Sequence, residues 1–173
     1  RTVLVATITR HNVEHLDHVL GLARDLSALA AFQPMKPYYK GLTDVEALMP
    51  DPERMQRALA MLAEKRRSRE WGRFMRNSPS GLAHVSRWPE YGNLRCWAGR
   101  IFCIVGADGT LYPCERTLIR EPLPNVARDG LAAALGLLPD PRCEGCGFCG
   151  ALELNLAMSM DVGIASTLRR LIG

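Results

Sequence analysis

The chain has 173 residues, of which 47% are hydrophobic and 23% charged, enough for one ordinary soluble domain or a domain with a smaller appendage. Its net charge of +4 is mildly basic, and it has no run of about 18 apolar residues, so we expect neither a nucleic-acid nor a membrane partner. Six cysteines, in a core-forming chain that opens without a visible export leader, predict a reducing, cytoplasmic setting rather than disulfide staples.

The opening stretch predicts a βαβ unit. The run "TVLVATIT" (2–9) is typical of a strand that is buried on both faces. Apolar residues then recur at three- and four-residue spacing, which predicts an amphipathic helix from Val13 to about Ala30 with Asn12 as its N-cap. The run "LAAFQP" (29–34) predicts a second strand, and this order of elements implies a parallel sheet.

A second helix is predicted to begin after Asp51, which is a good N-cap. Pro52 suits the first helical position, and Glu53 places an acid in the first turn. We expect it to run to about Arg69 and to end in the basic run "EKRRSRE" (64–70), a solvated helix end where the dipole favours cations.

A shorter helix is predicted from Trp71 to Met75, and residues 77–93 are predicted to be irregular. The composition changes near Arg95. Residues 100–114 then predict a β-hairpin, because Asp108-Gly109 supplies the positive φ of a tight turn.

The rest of the chain predicts a short helix from Leu131 to Leu138, a turn-rich loop over 139–150, and an apolar helix from Ala151 to about Ile172. We therefore expect two modules, residues 1–76 and residues 95–173, joined by a linker over 77–94.

Several polar residues have an ordinary structural explanation. The side chains of His11, His15 and His18 fall opposite the apolar stripe of the first helix, which predicts a solvated face rather than a metal site. Glu153 and Asn155 follow the last cysteine, and we expect them to cap the last helix or to donate and accept hydrogen bonds near the cysteine loop.

The cysteine spacing is the main functional signal. It reads Cys96-x6-Cys103-x10-Cys114-x28-Cys143-x2-Cys146-x2-Cys149. Cys103 lies inside the first predicted hairpin strand and is interpreted as a small buried hydrophobic residue. The hairpin can bring the flanking cysteines together, and the 143–149 loop can close over them with four or five thiolates in all. Zinc and an iron–sulfur cluster both take four thiolates; the spacing favours a cluster and leaves zinc open.

Two segments resemble a known family. The stretches "CWAGRIFCIVGADGTLYPC" and "CEGCGFCGALELN" resemble the C-terminal auxiliary-cluster region of radical S-adenosylmethionine enzymes, of the SPASM type or its shorter relative, the twitch domain. The resemblance implies one auxiliary [4Fe–4S] cluster, whose implied ligands are Cys96, Cys114, Cys143 and Cys146, with Cys149 as an alternate loop ligand.

The N-terminal stretch "VLVATITRHNVEHLDHVLGLARDLSALAAFQPMKP" resembles the late strands and helix of that family's partial (β/α) barrel. The implied fold is α/β, a C-terminal remnant of the barrel followed by a small twitch-like domain made of a hairpin and a helix. Asn12 and Gln33 lie at the carboxyl ends of the two predicted strands, where barrel enzymes place ligand contacts, and the resemblance makes them candidate S-adenosylmethionine-binding residues.

The chain departs from the family at the radical-initiating motif, Cys-x3-Cys-x2-Cys. The stretch "CEGCGFC" is one residue shorter and lies in the other half of the protein, so we expect this chain to be inactive alone and to need a missing N-terminal half. The full-length enzyme would be an oxidoreductase or transferase that modifies a peptide or small-molecule substrate by radical chemistry. The alternative is a non-enzymatic binding module stabilised by zinc.

Overall fold

Two parallel strands and the helix between them open the fold. The computed structural model describes residues 2–36, 45–92, 94–114, 122–141 and 145–159. Strand β1 (Val3–Ile8) pairs in parallel with β2 (Leu29–Pro34), in a register that joins Val3 to Leu29 and Ile8 to Pro34. Helix α1 (Leu16–Asp25) connects them and buries Leu16, Leu20 and Ala23. The mixed α/β class and the second strand are confirmed.

Strand β1 differs from the prediction because only one of its faces is covered. Ala6 and Ile8 are buried, whereas Val5 is 57% exposed on the opposite face. A hydrophobic run shows that a strand forms but not which of its faces has a neighbour.

Helix α1 begins at Leu16 rather than Val13, so Asn12 is not its N-cap. The side chain of Asn12 stabilises a turn instead: its Oδ1 accepts a hydrogen bond from the Thr9 N–H at 2.8 Å, and its Nδ2 donates to the Thr7 carbonyl at 2.9 Å. The turn therefore includes Val13 and Glu14, which the periodicity assigned to the first turn of the helix.

The second edge of β2 is paired by a short segment rather than by a full strand. Ala30 pairs with Met75 in parallel, and the Arg76 N–H donates to the Ala30 carbonyl at 2.7 Å. The buried side chain of Asn77 continues the pairing, since its Oδ1 accepts from the Phe32 N–H at 2.8 Å and its Nδ2 donates to the Phe32 carbonyl at 2.9 Å.

Helix α2 (Pro52–Arg67) confirms the predicted start, with Asp51 accepting from the Glu53 and Arg54 N–H groups at 3.0 and 3.2 Å. Short 3₁₀ turns flank it at Glu46–Leu48 and Gly72–Phe74.

The irregular interpretation of 77–93 is wrong, because α3 (Pro79–Val85) forms there. Its N-cap is Ser78, whose Oγ accepts from the Gly81 N–H at 2.9 Å. Leu82 and Val85 are buried in the core, so this stretch packs as part of the fold.

The remaining elements are β3 (Ile104–Val105), β4 (Leu111–Tyr112), α4 (Val126–Asp129), α5 (Leu131–Gly136) and α6 (Cys149–Met158). Helix α6 starts two residues before the predicted Ala151, and its predicted continuation to Ile172 lies outside the described residues. In the described part of the chain, no helix has the length and apolar character needed to cross a membrane.

The chain forms two compact units. The first comprises residues 1–94 and 145–173, and the second comprises residues 95–144. The first unit holds the main hydrophobic core, in which residues of α1, α2, α3 and α6 pack together with the sheet.

We predict that Asn77→Leu lowers the free energy of unfolding by about 3 kcal/mol, because it leaves the buried N–H and carbonyl of Phe32 without partners. Urea denaturation measures the change. His18→Ala, on the exposed face of α1, is the control and should shift stability by no more than about 0.5 kcal/mol. Equal stability of Asn77→Leu and wild type would contradict the pairing.

Candidate functional site

The hairpin of the second unit forms around the predicted Asp108-Gly109 turn, but its strands are shorter than predicted. Strands β3 and β4 are antiparallel, and Gly109 occupies the turn with φ +82°. The Asp108 carboxylate accepts hydrogen bonds from the Thr110 N–H at 3.0 Å and from its hydroxyl at 2.8 Å, which lowers the pKa of Asp108. Asn125 donates to the Asp108 carbonyl at 2.9 Å and ties the turn to the start of α4.

Three of the described cysteines belong to this second unit. Cys114 is buried just after β4, while Cys96 and Cys103 are half-buried. The interpretation of Cys103 as a buried residue within a strand is wrong, because β3 begins at Ile104 and the thiol-bearing residue precedes it with part of its surface exposed.

The other described cysteines, Cys146 and Cys149, lie in the first unit. Their loop, residues 145–149, which we name the cysteine loop, passes over the ring of Tyr91. A Cβ placed on Gly145 would lie 3.0 Å from Tyr91 Cβ, and one placed on Gly147 would lie 2.5 Å from Tyr91 Oη. Gly147 is therefore required by packing, whereas a side chain at position 145 would need a small shift of Tyr91. Cys146 itself is buried.

His84 holds the backbone of this loop. Its Nε2 lies 3.1 Å from the Cys146 carbonyl, and since a carbonyl only accepts, that nitrogen must carry the hydrogen. The imidazole is buried and stacks on Tyr91, with ring centroids 5.6 Å apart. Burial, followed by the nearby Arg87 charge, lowers the pKa of His84.

Gln33 holds the end of the loop. Helix α6 begins at Cys149 without a capping side chain from its own neighbours. The Cys149 N–H instead donates to Gln33 Oε1 at 3.3 Å, while Gln33 Nε2 donates to the Thr7 hydroxyl at 3.2 Å. The carboxyl end of β2 thus contacts the cysteine loop through a side chain that the sequence identified as a ligand candidate.

The two predicted strand-end residues have separate positions. Gln33 lies at the cysteine loop, whereas Asn12 is bonded within the turn after β1. A cleft of about 500 Å³ also opens beside that turn. The described residues that line it are Arg10, His11, Met49, Asp51 and Arg54.

The expected ligand set is divided between the two units. Cys96 and Cys114 belong to the second unit, Cys146 and Cys149 belong to the first, and Cys143 lies outside the described residues. Among the residues that the structure describes, no group of three or more His, Cys, Asp or Glu side chains could hold a metal ion.

Glu153 is a buried carboxylate in α6. Its Oε1 accepts a hydrogen bond from the Ser78 N–H at 2.8 Å, while its Oε2 has no partner among the described residues. Burial raises the pKa of Glu153, and Ser78, Arg66 and Arg76 oppose that rise. Glu153 therefore ties α6 to the start of α3, and Asn155 is likewise fully buried within α6.

Sequence reasoning missed His84 and Tyr91, which lie in the stretch predicted to be irregular. The Ser78-Pro79 pair was the signal for α3, because it repeats the cap-and-proline pattern of Asp51-Pro52. Nothing in the local spacing marks Tyr91 as the support of the loop.

The structure thus defines a mixed α/β protein whose first unit holds a buried cysteine loop at the carboxyl end of a parallel strand pair. No family model, no curated protein and no solved structure matches this chain.

We predict that Gly147→Ala lowers the free energy of unfolding by about 1–3 kcal/mol, because the added methyl group would overlap the Tyr91 ring. Gly21→Ala is the matched control: a Cβ there meets no atom within 4 Å, and the change should stabilise α1 by up to about 1 kcal/mol. Chemical denaturation of both variants measures the difference, and effects of the same sign would contradict the loop packing.

We predict that Glu153→Gln becomes more stable relative to the wild type as the pH rises. The pKa of Glu153 is raised in the folded state, so the folded protein binds more protons than the unfolded chain and the wild type loses stability as the pH rises from the ordinary carboxyl range through the raised value. Gln keeps the acceptor for the Ser78 N–H and does not titrate. Urea midpoints of both proteins across acidic to neutral pH measure the effect; a pH-independent difference between them would contradict it.

Proposed function

We propose that this chain is the C-terminal portion of a radical S-adenosylmethionine enzyme and that it binds one auxiliary [4Fe–4S] cluster. The proposed ligands are Cys96, Cys114, Cys143 and Cys146, with Cys149 as the alternate loop ligand. The substrate class is a peptide or a small molecule, modified in a cytoplasmic enzyme whose other half carries the initiating motif.

The observation that carries the proposal is the way in which the cysteine loop is fixed. His84 binds the Cys146 carbonyl and Gln33 binds the Cys149 N–H, so both hydrogen bonds use backbone atoms. Cys146 and Cys149 are both buried, and Cys149 begins a helix whose amino end favours negative charge. A loop with two buried thiols held through its backbone is well suited to present thiolates to a cluster.

The second unit supports the proposal through its donor chemistry. Cys114 is buried two residues after β4, and Cys96 precedes the hairpin. Thiolates are the ligands of an iron–sulfur cluster, and four are required. The cysteines fit this group in type, and the complete set includes Cys143, which lies outside the described residues.

The sheet supports the other half of the proposal. The face of β1 opposite α1 leaves Val5 and Thr7 exposed, although parallel sheets are normally covered on both faces. Further strands of a barrel, contributed by the missing half, would cover this face. On that arrangement Asn12 shapes the turn at the S-adenosylmethionine side, and Gln33 connects the barrel edge to the cysteine loop.

When bound, an auxiliary cluster supplies one-electron transfer at a potential set by burial and by hydrogen bonds to its sulfurs. The residues of this chain would exclude water from the loop thiols and hold the loop backbone in place. His84 does so through the hydrogen on Nε2, and the lowered pKa of its imidazole favours the neutral ring.

We predict that anaerobic reconstitution of the full chain with iron and sulfide yields one [4Fe–4S] cluster per chain, measured by iron and sulfide content and by Mössbauer spectroscopy. Cys114→Ser and Cys146→Ser should lose the cluster. Comparison of Cys143→Ser with Cys149→Ser identifies the second loop ligand, because only the ligand's replacement should lower the iron content.

Cys103→Ser is the matched control, since it removes a half-buried thiol outside the proposed set and should keep the full iron content. A chain that purifies with one zinc ion, and takes up no iron, would overturn the cluster and favour the zinc-stabilised binding module. Loss of iron in Cys103→Ser would show instead that the ligand assignment is wrong.

A further inference from the structure

The net positive charge of the chain equals that of one short segment. Residues 64–76 contain six basic residues and two acidic ones, a net charge of +4, which equals the net charge of the whole chain. The basic residues are Lys65, Arg66, Arg67, Arg69, Arg73 and Arg76, and the acidic ones are Glu64 and Glu70. The rest of the sequence is therefore neutral.

The structure folds this segment into a tight turn. Helix α2 ends at Arg67, and the Gly72 N–H donates to the Ser68 carbonyl at 2.8 Å. A Cβ on Gly72 would overlap the Arg66 carbonyl, so only glycine fits where the chain doubles back. The turn gathers the cations instead of spreading them along an extended chain.

Two aromatic rings, Trp71 and Phe74, form cation–π contacts with nearby basic side chains. The Arg24 guanidinium lies 4.8 Å and the Lys65 ammonium 4.7 Å from the Trp71 ring centroid. The Arg73 guanidinium lies 4.7 Å from the Phe74 centroid. Since Arg24 comes from the end of α1, its contact with Trp71 joins the ends of α1 and α2. We name these two cations, together with three exposed arginines of the turn, the basic patch: Arg24, Lys65, Arg67, Arg69 and Arg73.

The helix dipole explains only part of this arrangement. It favours Lys65 and Arg67 in the last turn of α2, but Arg69 and Arg73 come after the helix has ended. Arg67, Arg69 and Arg73 are exposed, and none of them forms an ion pair with a carboxylate that the structure describes. Arg24, by contrast, is paired with Asp25 at 3.0 Å.

We infer that the basic patch is a docking surface for an acidic peptide segment. The charge complementarity comes from three exposed guanidinium groups without described carboxylate partners, and guanidinium is suited to bidentate pairing with carboxylates. A single-stranded nucleic acid would need aromatic faces for its bases to stack on, whereas Trp71 and Phe74 already carry cations. The inference does not rest on the proposed cluster, because none of the residues it uses is a cysteine.

The test is fluorescence anisotropy with the full chain and a labelled oligoglutamate peptide at low salt. The wild type should bind, and the affinity should fall as the salt concentration rises. The triple variant Arg67→Gln, Arg69→Gln, Arg73→Gln should bind about tenfold more weakly, because exposed ion pairs are individually weak but act together. The triple Arg→Lys variant at the same positions keeps the charge and should retain most of the affinity.

The matched control is Arg10→Gln, Arg54→Gln, Arg57→Gln, which removes the same charge from the same unit and should leave the affinity within about twofold of the wild type. Equal weakening by both triple variants would overturn the site, since only net charge would then matter. Tighter, patch-dependent binding of an oligothymidylate of equal charge would replace the peptide with a nucleic acid and also overturn the inference, as would the absence of any patch-dependent binding.

Discussion

The hydrogen bonding of β2 is the constraint on which the first unit depends. Five of its six residues are buried, and buried N–H and carbonyl groups without partners are costly. Strand β1 satisfies one edge. The other edge is satisfied by Met75, Arg76 and the side chain of Asn77, which takes the place of a strand where the neighbouring segment turns away. This pairing fixes the segment between α2 and α3 against the sheet.

The position of the cysteine loop follows from the same strand. Helix α6 lacks a local capping side chain, and its first N–H group finds its acceptor in Gln33, 116 residues earlier in the chain. In the adjoining stretch, buried His84 holds the loop backbone, and the buried ring of Tyr91 leaves no room for a side chain at Gly147 and little at Gly145. The Cys-x2-Cys-x2-Cys spacing therefore combines two requirements, thiols for the proposed ligand role and glycines for packing.

Local signals predicted the elements that local interactions determine. The bounds of β2 and the start of α2 were predicted correctly because Pro34 and Asp51-Pro52 act on their immediate neighbours. The start of α1 was wrong because the Asn12 amide bonds backward to Thr7 and Thr9, an alternative that periodicity does not register. The contacts of Gln33, His84 and Asn77 were beyond prediction, since each joins residues far apart in the chain and no spacing rule relates them.

A contact with the start of α3 lowers the free-energy cost of burying the Glu153 carboxylate in α6. Burial of Glu153 destabilises its charged form, and that cost is offset in part by the Ser78 N–H and by the charges of Arg66 and Arg76. Ser78 caps α3, while His84 lies one residue before its end. The two ends of one short helix therefore hold Glu153 and the Cys146 carbonyl, and they fix both the body of α6 and the loop before it. A purely apolar contact would fill the same space without the directional hydrogen bond that helps to define the rotation of α6.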